Sequence, residues 1–138
     1  MKTKITVTSI DHDELVDLLS TALYDSSWFE ADYSSDIYKK LEDTTGDCFE
    51  DKLADMLLSG HQITIIDHSA DGESYSSKCT KITTDGAAEY KVGLEDFLKV
   101  ASTKTGFNLL NEVLDGTGDY WTADAFLQRV VFGEEVYG

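Results

Sequence analysis

Proline is missing from all 138 positions of this chain. Soluble proteins use about 5% proline, so X-Pro turns and proline-rich linkers are excluded, and reversals must rest on Gly, Asp, Asn and Ser. Basic residues are also scarce, eleven Lys and Arg against 27 Asp and Glu, for a formal net charge of −16. A field of that sign repels nucleic acid and anionic lipid and steers basic surfaces inward. Cysteine is limited to Cys48 and Cys79. Their separation and the lack of a C-x-x-C pair point to two plain thiols in a reducing compartment rather than a disulfide. No apolar run reaches transmembrane length, and Lys2 and Lys4 lead into alternation rather than a signal-peptide block. The expected location is the cytoplasm of the cell that makes it.

What the chain does have is a core. An apolar fraction of 41% and an aromatic fraction of 11% are too high for a disordered acidic tail. The acidity therefore belongs to a folded surface, and the length suits one compact acidic domain over residues 1–138. The charge is uneven. Residues 9–57 carry a net −11, residues 105–138 a net −5, and residues 58–104 are near balance at −2.

Alternation over residues 2–8 reads as a short strand. Asp11 and Glu14 have capping-box spacing ahead of a helix that buries Leu15, Leu18, Leu19 and Ala22. The stretch around Trp28, Phe29 and Tyr33 is irregular, loop or short strand. A brief helix from Asp36 precedes a longer one that starts at Gly46-Asp47, turns Phe49, Leu53, Met56 and Leu57 inward and stops at Gly60. Three β-like runs follow, at 62–67, 75–82 and 88–92, joined through Asp71-Gly72 and Asp85-Gly86. Helices are expected at 94–103, 107–114 and 123–132, the last N-capped by Thr122, and residues 134–137 could add an edge strand. The class is α+β, with an antiparallel three-stranded meander plus terminal strands packed against short helices.

Candidate chemistry is sparse. Asp67-His-Ser-Ala-Asp71-Gly72-Glu73 copies the first half of a calcium loop, but position 12 is Lys78 where a bidentate Glu is needed, so a hairpin turn is expected. His12, His61 and His68 have no zinc spacing, although His61 and His68 flank a strand with Asp67 beside them. Asp115-Gly-Thr-Gly118-Asp lacks a phosphate-loop lysine and reads as a connection between helices. No serine or cysteine sits in a nucleophile elbow. No catalytic residue, metal site or cofactor is expected.

The helix that follows Gly46 is the most informative element. Asp47, Asp51 and Asp55 stand at i, i+4 and i+8 with Glu50 alongside, a row expected to face solvent with a carboxylate every ~6 Å at a rise of about 1.5 Å per residue. That spacing is comparable with successive phosphates on a nucleic-acid strand. Asp47, Glu50 and Asp51 also suit a helix N-terminus, whereas Asp55 lies two turns in. Asp13 and Asp17 repeat the spacing on the first helix. The row is either an ordinary solvated face or a functional acidic surface. Trp28 and Phe29 lie in the same acidic segment, and any that were exposed would serve as anchors for a basic groove.

The stretch Leu18-Leu-Ser-Thr-Ala22-Leu23 running on to Ser27-Trp28-Phe29, with the closing Val131-Phe132-Gly133-Glu134-Glu135-Val136-Tyr137-Gly138, resembles a group of small acidic phage and mobile-element proteins. Those proteins join a helix ending in a glycine- and aromatic-rich bend to an FGE-x-VYG-like terminus. The glycines of the bend are absent here, and the group has no settled catalytic residues to carry over. The resemblance implies a mobile-element setting, in which small acidic proteins disarm host nucleases. The expected function is non-enzymatic: an acidic protein that inhibits a host defence or other nucleic-acid-binding protein by DNA mimicry. It would meet that partner's basic surface, with no direct binding to nucleic acid or membrane. The alternatives are a small-molecule module, such as a sponge for a nucleotide signal, and a small enzyme with an unrecognised site.

Overall fold

Asp11 starts the first helix for a local reason. Its carboxylate accepts the Glu14 N–H at 2.9 Å, while the Glu14 carboxylate accepts the Asp11 N–H at 3.0 Å, so two otherwise unpartnered donors are satisfied together. The helix α1 (His12–Leu23) then buries Leu15, Leu18, Leu19 and Ala22. A computed structural model describes residues 6–24 and 26–138 of the chain. Of the strand expected at 2–8, residues 2–5 lie outside the described residues, and 6–8 form no strand.

The irregular aromatic stretch resolves into β1 (Phe29–Asp32), followed by the single turn α2 (Ser35–Tyr38) and by α3 (Phe49–Leu58). Beyond α3 come β2 (Ile63–Asp67), β3 (Cys79–Ile82) and β4 (Ala88–Val92). The sheet is antiparallel throughout, in the order β1-β2-β4-β3. This differs from a meander in that β4, not β3, lies beside β2. Burial explains the exchange. Both β2 and β4 carry apolar side chains that must be covered, whereas Thr80, Lys81 and Ile82 of β3 are all exposed. A polar strand belongs at an edge, and the pairing of β3 with β4 shifts register between Cys79 and Lys81. The other edge is β1, where Phe29 pairs with Asp67 and Asp32 with Thr64. Residues 134–137 form no strand.

Three helices close the chain: α4 (Leu94–Ala101), α5 (Lys104–Leu114) and α6 (Tyr120–Phe132). Two begin earlier than periodicity indicates, because caps lie upstream. Thr103 accepts the Gly106 N–H at 3.0 Å, and Asp119 accepts the Thr122 N–H at 3.2 Å. The last helix packs against α1, α4, α5 and β4. It is covered on nearly every side, with Phe126 and Leu127 fully buried, each worth about 1.5–3 kcal/mol. No helix among the described residues is long and apolar enough to cross a membrane.

Candidate functional site

The acidic surface forms where α1 packs on α3. Asp51 is fixed from two sides. One carboxylate oxygen accepts the Cys48 N–H at 3.3 Å, and the other lies 3.1 Å from His12 Nε2. Gly46 makes this possible, because a Cβ there would collide with the Asp51 carboxylate. The helix therefore starts at Phe49, and Asp47 precedes it, exposed but off the expected helical row. Phe49 is 42% exposed rather than inward.

The expected solvent-facing row fails at Asp55, which is 3% exposed. One of its oxygens accepts the Thr45 hydroxyl at 2.6 Å. The other accepts the Thr45 N–H at 3.0 Å and the Tyr38 hydroxyl at 3.3 Å. The physical reason is long-range. A stripe at i, i+4 and i+8 faces one direction, and here that direction is roofed by the chain between α2 and α3. Asp55 holds that roof in place. Burial, and then the Asp55 charge, raise the Tyr38 phenol above its ordinary value. Lys52, the single lysine of α3, lies over the Tyr38 ring at 5.7 Å from its centroid.

His12 ties the two acidic helices together. Its Nδ1 lies 3.1 Å from Asp13 Oδ1, and its Nε2 lies 2.6 Å from the Thr45 hydroxyl as well as beside Asp51. Because the Thr45 hydroxyl donates to Asp55, Nε2 is the donor toward Thr45. A hydroxyl between an imidazole and a carboxylate contains the atoms of nucleophilic catalysis. The main surface depressions lie elsewhere, however, and none is lined by His12, Thr45 or Asp55. Of the acids on these segments, Asp13, Asp17 and Asp47 reach solvent and Glu50 and Asp51 are half-buried.

Trp28 and Phe29 belong to a different place. Phe29 is 5% exposed and packs 5.7 Å from Phe132, so it is a core residue and not a surface anchor. Trp28 is half-buried; its indole N–H donates to Asp124 at 2.8 Å and its ring lies 5.1 Å from Tyr137. The closing segment is clamped over them. Gln128 accepts the Val136 and Tyr137 N–H groups at 2.7 and 2.8 Å and donates to Asp124 at 2.7 Å. Gly133, at φ 83°, supplies the left-handed turn out of α6, and Arg129 pairs with Glu135 at 2.7 Å. The stretch at Trp28 and the closing segment thus meet in one structural clamp. Burial raises Asp124, offset in part by the hydrogen bonds from Gln128 and Trp28. Sequence reasoning passed over Asp124 and Gln128, although a polar pair at i, i+4 inside an apolar helix is a readable signal.

Asp67 faces the interior and accepts from Tyr137 at 2.6 Å and from the Ser69 N–H at 2.9 Å. Both oxygens are thus engaged, one by Tyr137 and one by Ser69 within the loop that copies half a calcium site, in which Asp71 and Gly72 both adopt positive φ. His68 instead pairs with Glu30 at 2.8 Å. Among the described residues, no group of three or more His, Cys, Asp or Glu side chains is arranged to hold a metal ion. Cys48 and Cys79 are free thiols. In the loop between α5 and α6, the Asp115 carboxylate accepts the Thr117 N–H at 2.9 Å and the Glu112 main-chain carbonyl accepts the Gly118 N–H at 2.6 Å. Models of known protein families, curated proteins and solved structures provide no match to this chain.

Proposed function

We propose that this is a non-enzymatic acidic binding protein of a phage or mobile element. In the host cytoplasm it occupies the groove of a nucleic-acid-binding protein and inhibits it by imitating DNA. The observation that carries this reading is the joined acidic face of α1 and α3. Asp13, Asp17 and Asp47 are exposed on these two segments, Glu50 and Asp51 are half-buried, and His12 bridges the two helices by contacting Asp13 and Asp51. Carboxylates held on a rigid scaffold can replace phosphates opposite a row of Lys and Arg, with a steep dependence on salt. The face is narrower than the sequence row, because Asp55 is withdrawn into the interior.

A nucleotide pocket has less support. Cations would be needed to hold phosphate, and Lys78, Lys99 and Arg129 do line one cleft, but it measures about 190 Å³. Ordinary ligand sites run from about 300 to 1,000 Å³. Lys78 and Arg129 moreover already face Asp96 at 3.9 Å and Glu135 at 2.7 Å.

The test is capture of partners from host lysate on the immobilised protein, followed by elution with duplex DNA or with rising salt. Mimicry requires that duplex DNA displace the captured protein. A partner retained at high salt and indifferent to DNA would refute it.

A further inference from the structure

An open groove of about 590 Å³ runs between the end of α1 and the start of α6, lined by Ser20, Thr21, Tyr24 and Tyr120. Tyr120 is held in place, because its hydroxyl accepts the Ser27 N–H at 3.3 Å and donates to Ser26 at 3.4 Å. Trp121 stands edge-on to it with centroids 5.1 Å apart and is 57% exposed, while Tyr24 is 81% exposed. Single exposed aromatics are ordinary. Two of them, Tyr24 and Tyr120, line one depression, and Trp121 packs against Tyr120 beside it, an aromatic grouping of the kind found at the centre of protein interfaces.

Charge identifies the occupant. Residues 5–38 contain no Lys or Arg, and residues 105–138 contain only Arg129, which is paired with Glu135. Both walls of the groove come from these two stretches. Asp17, which is exposed, lies on the same helical stripe as Ser20, Thr21 and Tyr24, and exposed Asp119 directly precedes Tyr120. Aromatic faces beside carboxylates suit a guanidinium, which stacks on a ring and forks onto an acid. An ammonium is more strongly hydrated and does neither as well.

We propose that this groove docks an arginine side chain from a basic segment of the partner protein. The inference rests on the basic-partner reading above and adds an anchor that prefers arginine to lysine and withstands salt.

The probes are an arginine-rich peptide, a lysine-rich peptide of the same length and charge, and a neutral apolar peptide. Each is titrated while tryptophan emission is followed, with Trp121→Phe used to separate Trp121 from Trp28. Saturable binding of the arginine peptide, at least about tenfold tighter than the lysine peptide and partly retained at about 0.5 M salt, is expected. Tyr24→Ala with Trp121→Ala should weaken it about tenfold or more, with the melting temperature nearly unchanged because both side chains are exposed. Equal affinity for the two basic peptides, preference for the apolar peptide, or full binding by the double variant would overturn the proposal. So would sedimentation showing a dimer that Trp121→Ala dissolves, since a second copy would then occupy the groove. Reversing Asp13 and Asp47 to Lys separates the two readings. Mimicry fails if that variant still binds the captured host partner, whereas the groove is judged on the peptide preference, the double variant and the oligomeric state.

Discussion

The Tyr137 hydroxyl donates to the Asp67 carboxylate at 2.6 Å, joining residues 70 positions apart. Asp67 ends β2 and is fully buried, while Tyr137 belongs to the segment that Gln128 clamps. This contact fastens the closing segment to the sheet. Burial, then the hydrogen bond to Asp67, raise the Tyr137 phenol well above its ordinary value, so it remains a donor at neutral pH.

Replacing Tyr137 with Phe should therefore cost about 1.5–3 kcal/mol, the range for a hydrogen bond to a charged group. The loss is in folding, measured by urea denaturation, and not in partner recognition. Asp67→Asn in the Phe background should cost less than in the parent, since the neutral amide no longer strands a buried charge. Additive effects in that double-mutant cycle would show that the two groups are not coupled.

Asp124 gives a pH dependence of definite sign. Its carboxyl is raised in the folded protein, chiefly by burial. The native state thus holds a proton that the unfolded state has released, and stability falls as pH rises through that window. The window opens at the ordinary value of 3.8 and closes at the raised one. Above it the parent has lost whatever the protonated form supplied. Asp124→Asn does not titrate at this position. The stability difference, parent minus variant, should therefore be most in the parent's favour below the window and shrink across it. A difference that stays flat or grows with pH would contradict this assignment.

Asp51 and Asp55 make the plainest contrast in burial. They share a stripe of α3, yet Asp55 is 3% exposed while the Asp51 side chain is 19% exposed and held by Cys48 and His12. Asp55→Lys puts an ammonium where Thr45 and Tyr38 donate, and should cost about 3 kcal/mol or more. Asp13→Lys, at a fully exposed site, should stay within about 0.5 kcal/mol. Thermal melts of the two variants check this directly. Equal melting temperatures would mean that Asp55 reaches water after all.

What the sequence disclosed and what it hid follow from the range of the interactions. The core face of α1, and Leu53, Met56 and Leu57 of α3, were legible because periodicity and the Asp11–Glu14 box are local signals, whereas Phe49 lies at the exposed start of α3. The placement of β4 beside β2 was not, since strand order depends on burial demands compared across the whole sheet. Asp55 misled for the same reason. Helical spacing shows that two side chains share a face, but only the path of residues 39–47 decides whether that face is roofed. Phe29 could be named as an aromatic of interest, yet its partner Phe132 is about a hundred positions away. The groove beside Tyr120 escaped notice because its walls come from opposite ends of the chain.

Charge reversal on the exposed acids tests the proposed function without disturbing the fold. Asp13, Asp17 and Asp47 have no buried role, and the Asp13 side chain is 99% exposed, so their triple change to Lys should leave the melting temperature within a few degrees of the parent. Long-range repulsion in a chain of net charge −16 would even be relieved. Opposite a basic groove, however, each reversal turns an attraction into a repulsion. Binding to the captured partner should fall by orders of magnitude. The corresponding Asn variants should lose less and show a shallower dependence of affinity on salt, because fewer counterions are released per complex. Calorimetric titration over a series of ionic strengths gives both quantities at once. If the triple Lys variant binds as the parent does, α1 and α3 present only a solvated face. Recognition would then have to lie away from these acids, and Asp17 would also be excluded as the carboxylate beside the aromatic groove.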